Sequence, residues 1–221
     1  WLRWFHGPSK AVMVPSDSMR RILEQRGFRN VRLWGRGIDT NQFKPEEQDF
    51  ACIGRPLFLY VGRIAVEKNL EDFLRLDLPG TKWVIGDGPQ REELEQRYPN
   101  VRFLGAKPHD ELPAYYNCAD VFVFPSRTDT FGLVMGEAMA CGVPVAAYPV
   151  EGPLDVVHHG KSGMLDHDLA RACFDAMRLK RWRVRQHALQ YSWGAATEQF
   201  LRNLHPICHR GMAPVRLSSV A

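Results

Sequence analysis

From Pro56 onward, short runs made mostly of apolar residues recur along the chain at a regular pitch. Leu57-Phe58-Leu59-Tyr60-Val61, Trp83-Val84-Ile85, Val101-Arg102-Phe103-Leu104, Val121-Phe122-Val123-Phe124 and Val143-Pro144-Val145-Ala146-Ala147 each read as a strand. Apolar residues at every position, rather than at alternate ones, are what a parallel strand buried on both faces requires. Between these runs the apolar spacing predicts helices over 69–76, 91–97, 110–117 and 131–140. Further helical segments follow at 168–180, 182–191 and 193–204. Strand and helix alternating in this way predict an α/β fold, a Rossmann-like doubly wound parallel sheet covered on both sides.

The residues before Pro56 read differently. Ala11-Val12-Met13-Val14 predicts a short strand, and a helix then runs to Gly27 with Ser16 or Asp17 as its N-cap. Val31-Arg32-Leu33-Trp34 predicts a second strand. Gly35, Gly37, Asp39, Asn41 and Pro45 punctuate a linker that ends near Cys52. The expected organisation is therefore the end of a preceding, incomplete domain with its linker at 1–50 and a main domain at 51–192. A helix at 193–205 and a loose, aperiodic tail at 206–221 complete it. The chain does not open with Met and reads as part of a longer one.

Composition changes this picture little. The 221 residues are 45% hydrophobic and 24% charged, which is ordinary for a globular protein. No apolar run approaches the roughly 20 residues needed to span a bilayer, and no leader peptide is evident. The five cysteines (Cys52, Cys118, Cys141, Cys173 and Cys208) form no CxxC pair, so neither a disulfide framework nor a zinc site is expected. Cys118 and Cys141 read as core residues, and a reducing cytoplasm fits best. The net charge of +4 has its densest cations at Arg178-Leu179-Lys180-Arg181-Trp182-Arg183-Val184-Arg185. That run reads either as a solvated helix face or, because an aromatic sits among cations, as contact with anionic lipid.

In an open parallel sheet, ligands lie beyond the carboxyl ends of the strands. After the first core strand, Gly62 permits a sharp turn, and Arg63 and Lys68 place two cations where an anion could be clamped. After the second, Gly86-Asp87-Gly88-Pro89 is a turn open to close approach of a ligand, or simply a tight turn. After the fourth comes Ser126-Arg127-Thr128-Asp129-Thr130-Phe131-Gly132-Leu133. Thr130 or Asp129 caps the following helix, and the amides of Phe131, Gly132 and Leu133 form an anion site suited to a diphosphate. Glu137 lies inside that apolar helix and needs donors. Either an Arg or Lys from another strand supplies them, or the ribose hydroxyls of a nucleotide do. Asp129 is either a plain N-cap or, with Glu137, holds the two sugars of a nucleotide-sugar. No metal is assigned, because no HxxxH or HExxH spacing occurs, and no serine nucleophile elbow is present.

Taken in order, four segments resemble the retaining glycosyltransferases of family 4, with the GT-B fold of two facing Rossmann domains. Val61-Gly62-Arg63 through Glu67-Lys68-Asn69 resembles the "GR…EK" loop, and Ile85-Gly86-Asp87-Gly88-Pro89 the "GDGP" turn. Ala119 through Ser126 resembles the strand before the active site, and Thr128 through Val145 the EX7E region. The resemblance spans about 10–205 and is nearest to GDP-mannose-dependent α-mannosyltransferases. It implies that Arg63 and Lys68 bind the donor diphosphate and stabilise the departing nucleotide. It implies that Asp129 contacts the transferred sugar and Glu137 the ribose. Gly62, Gly88, Thr130 and the loop Gly105-Ala106-Lys107-Pro108, with Lys107 against the base, complete the donor site. Asp129 stands where the family has Glu, which shortens its reach.

The implied activity is retaining transfer of a hexose from a nucleotide-sugar to a lipid or saccharide acceptor. GDP-mannose is the favoured donor and a UDP-sugar the other. No cofactor and no nucleic-acid partner are expected. The acceptor domain is incomplete, so this chain alone is expected to bind donor without transferring it. A cytoplasmic location is expected, with a peripheral contact on the inner face of the membrane. The rival readings are a GT-B epimerase or phosphorylase, a non-catalytic nucleotide-binding module, and an NAD-dependent oxidoreductase. Against the last, no G-x-G-x-x-G follows the first core strand.

Overall fold

A computed structural model describes residues 1–46, 54–129 and 131–205. Helix α1 (Leu2–His6) precedes a two-stranded parallel sheet, β1 (Val12–Val14) and β2 (Val31–Leu33), joined by α2 (Asp17–Gln25). Ser16 caps α2, its hydroxyl accepting from the Met19 amide at 3.3 Å. Val14, Phe28 and Val31 give this unit a small core of its own.

The remaining strands form one all-parallel sheet in the order β5-β4-β3-β6-β7-β8. They are β3 (Leu57–Val61), β4 (Thr81–Ile85), β5 (Arg102–Phe103), β6 (Val121–Phe124), β7 (Val145–Ala147) and β8 (Gly163–Leu165). Alternate side chains of β3 explain its unbroken apolar run. Leu57, Leu59 and Val61 pack under α5 (Leu112–Cys118), α6 (Leu133–Ala140) and α9 (Arg181–Ala188). Phe58 and Tyr60 pack on the opposite face under α3 (Leu70–Leu74), α4 (Arg91–Arg97) and α8 (Leu169–Ala176). Both faces are thus covered, which is the doubly wound arrangement expected from the sequence.

Several boundaries differ from the sequence expectation. The helix expected from 69 is preceded by a 3-10 turn, Val66–Lys68, and Asn69 adopts a left-handed φ of 51° before α3 begins at Leu70. The helix expected over 182–191 ends at Ala188 and tightens into a 3-10 turn, Leu189–Tyr191. Strand β8 and helix α7 (Pro153–Val156) lie where no periodicity predicted an element, because each is too short to show one. Buried Cys118 and Cys141 are core residues, joined by Cys173, and burial pushes the thiols of Cys141 and Cys173 up to about 12. Cys52, Cys208 and the expected tail at 206–221 lie outside the described residues. Among the described residues, no helix is long and apolar enough to cross a membrane.

Two arginines of the basic run leave the solvated face expected for it. Arg181 donates to the carbonyl oxygens of Ala119 at 2.7 Å and Cys141 at 3.4 Å. Arg185 donates to Phe43 O at 2.8 Å, to Thr40 O at 3.0 Å and to Ala140 O. Cations so placed satisfy the last carbonyls of α6 and complement the negative end of its dipole. They also tie the helix to the linker. Mid-helix Gly136 serves the same packing, since a Cβ there would meet Ile38 Cδ1 at 2.0 Å. On the other side of the linker, α10 (Trp193–Asn203) clasps residues 33–37. Gln199 Oε1 accepts from the Gly35 amide at 2.6 Å, Asn203 donates to Leu33 O at 2.6 Å, and the Trp193 ring fills the space beside Gly37.

Candidate functional site

Strand order reverses between β3 and β6, the place where ligands of open α/β sheets bind. Beyond the carboxyl ends of these two strands lies a cavity of about 670 Å³. Gly62, Arg63 and Lys68 line it from the β3 side, and Asp129, Phe131, Gly132 and Leu133 from the β6 side. Seven of the candidate residues, up to 71 positions apart in sequence (133 − 62), therefore meet around one space.

The helix at this cavity begins later than its sequence suggests. Gly132 is its N-cap, with φ 65° and ψ 69°, and Leu133 is its first residue. A residue in the left-handed region cannot continue an α-helix, so Gly132 is not a weak first-turn residue. It is the one type that adopts this geometry without steric cost. The orphan amides at the mouth accordingly begin at Leu133, and the amide of Phe131 precedes the helix. Asp129 does not cap α6, whose N-cap is Gly132; the other expected cap, Thr130, lies outside the described residues. The Phe131 ring is buried, edge-on to Tyr191 with centroids 6.1 Å apart.

Lys68 and Asp129, assigned separate roles from sequence, are partners. Lys68 Nζ is 2.8 Å from each carboxylate oxygen of Asp129, with both side chains largely shielded. Arg63 reaches Glu67 at 3.7 Å and is mostly exposed. Below them Tyr60 donates to Arg63 O at 2.8 Å. Its phenol is pushed well above its ordinary value, first by burial and then by the charges of Asp129 and Glu67. It therefore stays a donor at all ordinary pH. The loop that carries Asp129 is held by Asn69, which donates to Pro125 O at 3.1 Å and to Asp72 at 2.6 Å.

Glu137 lies one helical turn deeper. Its Oε2 accepts from the buried Tyr116 hydroxyl at 3.0 Å, and its Oε1 is 3.2 Å from His109 Nε2. Among the described residues, neither Arg nor Lys supplies its donors. Burial, followed by the Glu137 charge, raises the Tyr116 phenol well above its ordinary value. His109 is exposed, stands edge-on to Phe43 and covers Glu137 from the side of the loop at 105–109.

Three expected members lie outside the cavity lining: Glu137, Gly88 and Lys107. The room at Gly86 and Gly88 is used by the protein itself. A Cβ would meet Gly62 O at 1.9 Å from Gly86 and Ile64 O at 2.2 Å from Gly88, so these glycines let neighbouring βα turns interlock. Lys107 Nζ stands 5.6 Å from the centre of the Tyr115 ring. Conversely, the cavity recruits Arg36 from the linker, together with Tyr60, Glu67 and Thr128. The Gly35-Arg36-Gly37 segment gave no chemical signal in sequence beyond its turn propensity; the contacts of α10 with its two glycines bring Arg36 here. The cavity thus holds three cations (Arg36, Arg63, Lys68) against two carboxylates (Glu67, Asp129). No group of three or more His, Cys, Asp or Glu able to hold a metal occurs among the described residues.

This arrangement of a parallel sheet, a cationic crevice at the switch point and a helix mouth can take up a phosphorylated ligand. Residues 55–179 match the family described as glycosyl transferases group 1. The chain belongs to that family. It is 36% identical over 183 residues to a sulfoquinovosyl transferase of Arabidopsis thaliana, covering 74% of this chain and 36% of the relative. It is 35% identical over 175 residues to a GDP-mannose-dependent alpha-mannosyltransferase of Mycolicibacterium smegmatis, covering 75% of this chain and 46% of that one. Among solved structures, sucrose-phosphate synthase of Thermosynechococcus elongatus superposes with a TM-score of 0.74 at 28% identity, over 87% of this chain and 57% of that one. This group 1 chain thus spans less than half the length of these two curated relatives.

Proposed function

We propose that this chain is the donor-binding part of a retaining hexosyltransferase that uses a nucleotide-sugar, GDP-mannose in first place and a UDP-sugar in second, with a lipid or saccharide acceptor. The observation that carries the reading is the crevice where three cations face the mouth of α6. The 35% identity to a GDP-mannose-dependent alpha-mannosyltransferase supports the choice of donor. The 36% identity to a sulfoquinovosyl transferase supports transfer of a hexose-type sugar.

In this reading the diphosphate lies against the first amides of α6 and replaces the carboxylate now paired with Lys68. Lys68 and Arg63 then stabilise the charge that develops on the departing nucleotide, without a metal. Asp129, released from Lys68, accepts from hydroxyls of the hexose. The ribose takes the place of His109 at Glu137 Oε1, while Tyr116 keeps Oε2. Lys107 and the 105–109 loop lie towards the base, and Gly62, Gly88 and Thr130 shape the turns around the nucleotide. Residues 1–50 are the end of an acceptor-side domain, 51–192 the donor domain and 193–205 the crossover between them. The separate β1–β2 sheet and the grip of α10 on residues 33–37 support that division. A cytoplasmic protein in peripheral contact with the membrane suits a lipid acceptor.

The test has two stages. Titration calorimetry of this chain with GDP, UDP and NAD should give binding of a nucleoside diphosphate; binding of NAD alone would defeat the proposal. The full-length protein, given GDP-mannose or UDP-glucose and a lipid extract, should release nucleoside diphosphate and form an α-linked product. An inverted anomer would rule out retention.

A further inference from the structure

Away from the donor crevice, a groove of about 410 Å³ runs between α9 and the loop after α7. The loop contributes His158 and Lys161; the α9 side contributes Arg183, Gln186, His187 and Gln190. Every ionisable group in this lining is a base. The His158 and His187 rings meet edge to face with centroids 5.9 Å apart. His187 is anchored by Val156 O at 3.0 Å and by Gln190 at 2.8 Å. Its pKa is held below that of an ordinary imidazole, mainly by burial and further by the nearby His158 and Lys161. Neither Lys161 nor Arg183 has an acidic partner among the described residues. The charges of Lys161 and Arg183 therefore have no carboxylate to offset them among the described residues, and an anion in the groove gains attraction from both.

Two exposed apolar residues adjoin the groove residues Arg183 and Gln190 in sequence. Trp182, in the first turn of α9, and Leu189, its C-cap seven residues on, are 60% and 44% exposed, and a spacing of seven residues returns to the same side of a helix. The Arg183 guanidinium lies 5.2 Å from the Trp182 ring. Lys180, just before α9, is exposed as well, and so is Arg178, which pairs with Asp175 at 3.6 Å. A groove lining with bases and no acid, beside an exposed Trp and Leu, matches the chemistry of a bilayer interface. The bases meet phosphates there, and the apolar side chains enter the boundary below the headgroups. A soluble phosphate would use the bases and leave Trp182 and Leu189 without a role.

We propose that this groove docks the phosphate-bearing headgroups of an anionic lipid bilayer, with Trp182 and Leu189 seated in the interface. The assignment rests on the membrane contact proposed above and gives it a surface. Cosedimentation of the 221-residue chain with vesicles tests it, comparing phosphatidylcholine alone with phosphatidylcholine containing phosphatidylglycerol. Binding is expected only to the second, and it should weaken above about 0.1 M salt as screening shortens. Each basic side chain at such a surface is worth about five-fold in partitioning, so Lys161→Ala with Arg183→Ala should lower binding about 25-fold. Trp182→Ala should lower it roughly ten-fold through lost apolar burial. Arg26→Ala with Arg29→Ala, an equal charge change on exposed residues just beyond α2, should leave binding unchanged. Unaltered circular dichroism of each variant verifies folding. Anionic vesicles bound equally by the Lys161/Arg183 variant would overturn the groove while leaving a membrane contact elsewhere. Absence of vesicle binding by the unsubstituted chain would overturn both, and inorganic phosphate bound without vesicles would refute the lipid assignment.

Discussion

Replacing Gly132 with alanine tests the geometry of the helix mouth, and Gly160 supplies a matched control. Both have positive φ, 65° and 77°. A Cβ on Gly160 would meet nothing within 4 Å, so Gly160→Ala carries only the backbone cost of the left-handed region, about 1–2 kcal/mol. At Gly132 the added Cβ would stand 2.7 Å from Met135 Cε and 3.1 Å from Phe124 Cζ. Met135 Cε is the end of a flexible side chain and can yield, so crowding adds towards the lower end of the usual range, about 1 kcal/mol. Gly132→Ala should therefore destabilise by about 2–3 kcal/mol, roughly 1 more than Gly160→Ala. Urea unfolding of both variants, analysed with a common slope, gives the difference directly. Nucleoside diphosphate affinity should fall about ten-fold for Gly132→Ala, as for one lost charged hydrogen bond, and hold for Gly160→Ala. Equal stability losses would refute the steric account, and unchanged affinity would detach Gly132 from the anion site.

Further expectations follow from the same contacts. Lys68→Ala should weaken nucleoside diphosphate binding about 10- to 100-fold and nucleoside binding far less, by calorimetry; equal losses would contradict a phosphate contact. Arg185→Met leaves three carbonyl oxygens of α6 and the linker without their donor and should cost roughly 2–4 kcal/mol in urea unfolding, whereas a neutral result would show that water replaces it. Glu71 is held at about 2, first by its hydrogen bond from Arg75 and then by those involving Tyr98 and Arg97. Its folded pKa lies below the ordinary 4.5, so its stabilisation is complete above that value and lost as pH falls towards 2. Glu71→Gln should flatten the stability profile in that window, and an unchanged slope would assign acid lability to other carboxylates.

The architecture was legible wherever burial on both faces left its mark. The unbroken apolar runs at 57–61 and 121–124 are two central, neighbouring strands of the sheet, and the Ser16 cap fixed the start of α2. Contacts between distant residues were not legible. Asp129 and Lys68 lie 61 positions apart, and nothing local marks them as a pair. The donors to Glu137 come from Tyr116 and His109, an aromatic that reads as core and a histidine that reads as a turn residue. Gly86 and Gly88 look the same in sequence whether a ligand or a neighbouring turn occupies the space beside them; here it is the neighbouring turn. Within the basic run, Arg181 and Arg185 turn inward while Arg178, Lys180 and Arg183 stay outside, a division set by the rotation of α9 against α6. Arg36 reaches the site only because α10, more than 150 residues later (193 − 36 = 157), holds its flanking glycines.

A crystal structure of this chain soaked with GDP or UDP is the most direct test of the anion site. The account predicts phosphate oxygens within hydrogen-bond reach of the amides at Leu133 and Val134, with Lys68 Nζ moved from Asp129 onto them. A nucleotide bound elsewhere, with the Lys68–Asp129 pair intact, would contradict it.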